Sequence, residues 1–174
     1  MDTLTHALSG ALLARATVPR DAPPRSIPRR IAAGFFACAF PDIDFVIGFV
    51  GPVEYLLHHR GATHSLVLLP LWALVVAWIL AKILREPRGW HALYGVSALG
   101  IGAHVLGDLV TSYGTMILAP LSDARYGWGT TFIIDVWFSG VIVAGLAASA
   151  VRYRSRLPSV AACAALVAYV LFQG

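Results

Sequence analysis

Apolar residues run along this chain in blocks rather than in alternation, and short polar stretches divide the blocks. Thr3 to Thr17 predicts a first helix, too short to cross a ~30 Å hydrocarbon layer alone. Val18 to Pro28 holds four prolines and several arginines and reads as a loop. Ile31 to Val50 is apolar but is interrupted by Pro41-Asp42-Ile43-Asp44, and Gly51-Pro52 ends it. Glu54 to Thr63 is polar and leads into the run His58-His59-Arg60-Gly61-Ala62-Thr63-His64. Ser65 to Leu84 predicts a clear span of about twenty residues, followed by a basic loop from Lys82 to Arg88. Trp90 to Tyr113 predicts a second clear span, although it contains His104 and Asp108. Gly114 to Gly129 is a loop, Thr131 to Val151 a third span, Arg152 to Arg156 a basic turn, and Pro158 to Phe172 a last, short span. No internal repeat interrupts this order. The predicted fold is all-α: a polytopic helical membrane protein of five or six membrane-embedded helices, the N-terminal one short, forming a single domain over residues 1–174.

Composition supports the membrane reading. The chain is 58% hydrophobic and 13% charged, with a mean hydropathy of +0.73, against roughly 45–50% and 25% in ordinary soluble domains. A soluble core of this size could not bury that much apolar surface, so lipid is expected to cover part of it. The net charge of +4 does not point to nucleic acid, because no nucleic-acid-binding motif accompanies it. The basic residues fall instead in clusters between apolar blocks. Cys38 and Cys163 lie inside apolar runs and read as small buried hydrophobes. Asp2 precedes the first apolar stretch and the arginines follow it, the reverse of a cleavable leader, so the N-terminal segment is expected to be retained.

Charge placement also predicts topology. Arg15, Arg20, Arg25, Arg29, Arg30, Lys82, Arg85, Arg88, Arg152, Arg154 and Arg156 belong to one set of loops, leaving only Arg60 and Arg125 for the other. The positive-inside rule puts the first set in the cytoplasm. The N-terminus, the His58–His64 stretch and the Gly114–Gly129 loop then face outward.

With that topology, His6, Asp42, Asp44, His59, His64, His104, Asp108 and Asp135 all fall at one level on the outer side. An Asp at mid-membrane costs roughly 2.5–3.5 kcal/mol on insertion scales, so His6, Asp42, Asp44, His104 and Asp108 need a compensating partner. No Lys or Arg lies near these groups within their stretches. A divalent cation would satisfy several at once and keep carboxylates ionised and imidazoles neutral. His104 and Asp108 are four apart and share a helical face, as do Asp2 and His6. Pro41 breaks the helix that carries Asp42 and Asp44, and irregular backbone is tolerated where it lines a cavity. His59 and His64 flank Gly61, a turn candidate. Mixed imidazole and carboxylate ligands suit Zn, Mn or Fe, and their surplus leaves room for two ions. Arg60, between the histidines, is a candidate phosphate clamp. Asp2 and Asp135 read equally well as helix N-caps. Trp90, Trp128 and Trp137 read as interface anchors.

At these residues the chain resembles a family of inner-membrane metal-dependent hydrolases, some of whose members are LexA-regulated. The matching pieces are Met1-Asp2-Thr3-Leu4-Thr5-His6, Pro41-Asp42-Ile43-Asp44, His59-Arg60-Gly61-Ala62-Thr63-His64-Ser65 and Ala103-His104-Val105-Leu106-Gly107-Asp108, in that order over the first 115 residues or so. The resemblance implies a hydrolase carried by His6, Asp42, Asp44, His59, His64, His104 and Asp108, with zinc as the first candidate metal, in a bacterial inner membrane with the site toward the periplasm. A looser similarity, of ligand type only, links it to zinc-dependent phospholipase C and nuclease enzymes.

The expected function is therefore cleavage of a phosphoester in a lipid or lipid-linked substrate at the outer membrane face. Arg60 would neutralise phosphate, and a spare carboxylate, Asp42 or Asp135, would take the proton. A transporter is the first alternative, although no chain of polar residues crosses the membrane and no inverted repeat appears. A zinc peptidase would need a His-Glu-x-x-His motif that is absent. A membrane protein whose metal only staples helices is the remaining reading.

Overall fold

Asp2 starts the first helix. Its backbone is extended, and its carboxylate accepts from the Thr5 N–H at 3.0 Å and the Thr5 hydroxyl at 2.6 Å, which satisfies donors that a helix start leaves open. Burial pushes this carboxyl up, but the bonds from Thr5 outweigh it and hold it below the usual carboxylate range. In the computed structural model, which describes residues 1–174, α1 spans Thr3–Ala16 and α2 spans Ile27–Ala39. A 3-10 segment continues α2 from Phe40 to Phe49, and α3 spans Pro52–His58. One 3-10 turn, Ala62–His64, precedes α4 (Leu69–Ile83), α5 (His91–Leu109), α6 (Val136–Val151) and α7 (Leu157–Gln173). There are no strands, only one isolated bridge between Thr115 and Tyr126.

The all-α expectation holds, as does the short first helix, and Pro41 marks the change from α to 3-10 geometry. Two expectations change. The stretch read as polar, Glu54 to Thr63, begins with most of α3, and the third predicted span begins only at Val136 because Thr131 to Asp135 is irregular. By length and composition, two helical stretches can cross a membrane, Pro24–Phe49 and His91–Leu109. A third exists only if Pro52–His64 and Leu69–Ile83, bent by 82° at their junction, count as one. The remaining apolar helices α6 and α7 have 16 and 17 residues, short of the roughly 20 that a full crossing takes.

Small residues set the packing. A Cβ at Gly10 would run into the Gly34 carbonyl and the Cys38 side chain, so α1 and α2 touch backbone to backbone. A Cβ at Gly100 would lie 3.0 Å from Ala37 Cβ and 3.1 Å from Cys38 N, so α5 closes on α2 in the same way. Close approach through small residues replaces the hydrophobic drive that lipid removes between membrane helices. Beneath this seam lies a core of Ala33, Ala37, Ala77, Leu80, Val96 and Ile101. A second cluster, with Leu12, Phe138, Ile142 and Leu166, joins α1 to α6 and α7.

The seam aligns the helix ends. At one end the basic loops meet: Arg15 donates to the carbonyls of Tyr153 and Ser155 at 2.6 and 3.0 Å, Arg156 donates to Val18 at 3.0 Å, and Arg29 pairs with Glu86 at 3.6 Å. At the other end Asp2 N–H donates to the Ile133 carbonyl and Met116 N–H to the Arg60 carbonyl. The two loop groups inferred from charge are therefore the two ends of the bundle.

Gly34→Val should lower thermal stability in detergent by about 1–3 kcal/mol or prevent accumulation, because its Cβ meets backbone. Gly95→Ala, where a Cβ meets nothing within 4 Å, should leave the melting temperature unchanged or raised. Equal effects at both positions would rule out the seam as the element that sets helix spacing.

Candidate metal centre

His104 and Asp108 share a face of α5 in its last two turns, and both are buried. The Nδ1–H of His104 donates to the Cys38 carbonyl at 2.6 Å. That carbonyl is available because Pro41, in the 3-10 segment just beyond, has no N–H to offer it. With Nδ1 protonated, the His104 Nε2 carries a lone pair. His64 is fixed in the same sense: its Nδ1 lies 3.0 Å from the Thr63 hydroxyl, which donates onward to Asp44 Oδ2 at 3.4 Å. The two Nε2 atoms face each other at 2.9 Å.

Asp108 completes the conflict. Its Oδ1 accepts from the Met1 ammonium at 2.6 Å, from Arg60 Nη2 at 2.8 Å and from His6 Nε2 at 3.1 Å. Its Oδ2 has no donor although it is buried, and it lies 3.2 Å from His64 Nε2 and 3.4 Å from His104 Nε2. Asp42 Oδ1 sits 3.5 Å from His104 Nε2 and 3.8 Å from His64 Nε2. One ligand atom from each of Asp42, His64, His104 and Asp108 thus lies within 4.8 Å of all the others.

These four atoms are all electron-pair donors, and three of the four residues are buried. An unsatisfied buried acceptor costs about 1–3 kcal/mol, and facing lone pairs add repulsion. A cation among them removes both penalties. Zinc bonds of about 2.0–2.1 Å place tetrahedral donors roughly 3.3 Å apart, and the donor separations of 2.9–3.8 Å bracket that value. The donor set fits a divalent ion of the zinc, manganese or iron kind.

The other expected residues surround this set. His6 stacks on His104 with ring centroids 3.7 Å apart and reaches Asp108 Oδ1 rather than Oδ2. His6, Cys38 and His104 form a second possible ligand group, but His104 Nδ1 is already engaged there. A Cβ at Gly107 would lie 3.0 Å from the His6 ring, so that position must stay small. Asp44 accepts from the Arg60 N–H at 2.9 Å and from His59 Nδ1 at 3.0 Å. It positions both histidines of the His59–His64 run from behind the centre. His59 stacks on Tyr55 and leaves its Nε2 free of protein partners.

Arg60 and Asp135 differ from expectation. Arg60, expected on the outward side as a phosphate clamp, is buried: it pairs with Asp108, donates to the Thr111 hydroxyl at 3.0 Å and lies over the Tyr113 ring. Its backbone is left-handed, φ 59°, a conformation that costs roughly 1–2 kcal/mol for a residue with a side chain. Its N–H on Asp44 and its carbonyl under Met116 hold it there. Asp135 caps α6, accepting from Phe138 N–H at 2.9 Å and from the Tyr169 hydroxyl at 2.9 Å. Partial burial raises its carboxyl, and those bonds outweigh this and lower it. It shares no bond with the metal centre, so it is corrected from candidate base to helix cap.

Arg125 was missed by sequence reading. Its guanidinium donates to the carbonyls of Leu56, Leu57 and His59 at 3.0–3.2 Å, which closes the C-terminal end of α3. Being one of only two basic residues outside the large basic group was the available signal.

Comparison with known proteins bears on this end of the molecule. The family described as YdjM inner membrane protein matches residues 1–174. The chain belongs to the YdjM inner membrane protein family. It is 28% identical over 163 residues to the uncharacterized protein YfhP of Bacillus subtilis (strain 168), covering 92% of this chain and 49% of that one. It is 33% identical over 102 residues to the inner membrane protein YdjM of Escherichia coli (strain K12), and equally to that of Shigella flexneri, covering 52% of this chain and 48% of theirs. The chain spans about half the length of the curated relatives it matches. No solved structure matches. YdjM membership agrees with the apolar helices in making this an inner-membrane protein.

Asp108→Asn replaces one carboxylate oxygen with a donor. It should lower the affinity for added Zn2+ by roughly 100-fold or more, read by equilibrium dialysis with elemental analysis, with helical content preserved. Gly107→Ala, which displaces only His6, should weaken binding by about 10–100-fold. Unchanged binding in Asp108→Asn would mean that the four donors do not share an ion.

Proposed function

We propose that this chain is a multi-pass, metal-dependent hydrolase of the inner membrane that cleaves a phosphoester of a lipid or lipid-linked substrate on the periplasmic side. The observation that carries this reading is the bare Asp108 Oδ2 facing two imidazole lone pairs, with Asp42 at the outer edge of the set. The orientation follows from the basic loops gathered at the opposite end.

A divalent ion in the centre would polarise a phosphoryl oxygen and make water a nucleophile at neutral pH. The rest of the chemistry falls to the protein. His64, His104 and Asp108 are held rigid by Thr63, Cys38 and Arg60 respectively, and such support keeps donors in one geometry. Asp42 is the exposed member of the set, with 16% of its side chain open, and its Oδ2 is held by the Thr3 hydroxyl at 2.6 Å. Substrate therefore approaches from the Asp42 side. The positive charge of Arg60 lies behind Asp108, where it offsets negative charge at the centre through its pair with that carboxylate.

His59 is the proton acceptor in this reading. Asp44 accepts from Nδ1 and so presents Nε2 with a lone pair, the arrangement general-base imidazoles use. The His59 and His64 rings are 6.0 Å apart, close enough for one water between His59 and the centre. His59 thereby takes the role for which the sequence offered Asp42 or Asp135, and it gives up its expected place among the ligands.

The burial of His64, His104 and Asp108 also favours a second reading, in which the ion only staples α5 to the α2 end and the Ala62–His64 turn. The transporter reading gains no such support, because beneath His104 only the Ser97 hydroxyl interrupts an apolar core.

His59→Ala should retain the metal of the wild type yet lose about 10²–10⁴-fold in phosphate release from phosphatidic acid or a lipid diphosphate in mixed micelles. His64→Ala should lose both. Wild-type protein that carries metal, releases no phosphate from either lipid and unfolds on chelation would establish the staple.

A further inference from the structure

A groove of about 750 Å³ opens between α2 and α4 and runs to the metal centre. Its walls change character along its length. Near the centre they are Thr3, Asp42, Tyr55 and His59. Away from it they are Phe36, Val76, Ile79, Leu80 and Ile83. Val76 and Leu80 are buried at the floor, whereas Phe36 and Ile83 at the rim are 51% and 67% exposed. In a membrane protein that rim faces hydrocarbon. Val76 to Ile83 alone covers about 10 Å of helix, all of it apolar on this face.

We infer that this groove holds one hydrocarbon chain of a membrane phospholipid, with the phosphorylated headgroup at Asp42 and His59. The inference rests on the phosphoester reading and names the route by which its substrate arrives. Three features select a lipid. The volume exceeds the voids that packed interiors tolerate and lies within the range of ligand sites. The part of the groove away from the centre, lined by Phe36, Val76, Ile79, Leu80 and Ile83, fills with hydrocarbon, not water, since none of these side chains can bond water. The exposed member of the metal set, Asp42, is the one that lines the groove, so polar and apolar parts join where a phospholipid's own do. The chain would lie along α4 within the bilayer, and cleavage would need no extraction of the lipid into water.

The test uses the full chain in detergent and a phosphonate analogue of dioleoyl phosphatidic acid, which cannot be hydrolysed. Native mass spectrometry counts the analogue retained. Ile79→Trp fills the groove; Leu71→Trp places the same side chain on an exposed α4 position outside it. Wild type and Leu71→Trp should each retain one analogue per chain. Ile79→Trp should retain it roughly tenfold more weakly, with bound metal unchanged, and Ile79→Phe should fall between. Glycerol 3-phosphate, the headgroup alone, should bind all four equally weakly. Equal retention by Ile79→Trp and wild type, or equal loss in Leu71→Trp, would overturn the groove assignment. Absence of phosphate release from authentic phosphatidic acid would count against the hydrolase reading alone, because retention is read by mass.

Discussion

Everything at the functional end turns on electron pairs with no hydrogen between them. Asp108 divides its carboxylate into a saturated oxygen, with an ammonium, a guanidinium and an imidazole on it, and a bare one. The bare oxygen meets two imidazole nitrogens whose own protons are committed elsewhere. Protein groups alone do not balance this arrangement. The helices are held against the resulting repulsion by contacts far from it, chiefly the backbone-to-backbone approach of α1, α2 and α5. A cation among these donors would remove the cost, and metal affinity and local order would then be coupled.

Much of this was legible from the chain. His104 and Asp108 could be placed on one face by counting, and the two groups of loops could be separated by charge. The break at Pro41 was visible, and so was the gathering of His and Asp side chains that could hold a cation. What the pattern could not show were contacts set by distant residues. α3 has only seven residues and is finished by Arg125, more than sixty positions away, so its local sequence reads as polar loop. Arg60 carries no local sign of its burial. Its burial comes from Asp44, Thr111 and Tyr113. Asp135 shared its level with the ligands, but depth fixes one coordinate of three, and α6 claims it as a cap.

The division of labour among the histidines was equally out of reach by counting. His6, His59, His64 and His104 are chemically identical in a sequence. The structure separates them by what their ring nitrogens touch: two turn a lone pair inward, one braces Asp108, and one is held by Asp44 facing the groove. The carbonyl of Cys38 and the hydroxyl of Thr63 make that separation, and neither residue announces itself as chemical. Hydrogen-bond direction, rather than residue type, assigns the roles here.

The two halves of the centre also differ in how firmly they are anchored. His104 and Asp108 stand on a 19-residue helix packed into the main core. His64 and Arg60 stand on a short turn beyond α3, a helix whose Val53, Leu56 and Leu57 are exposed and whose C-terminal carbonyls are bonded by Arg125. Opening free energy is lowest where buried apolar contacts are few. Assembly in time should follow that gradient: a half-centre forms with the bundle, and the loop bearing the second half is recruited by whatever occupies it. Loading of an ion would then be coupled to closure of this loop.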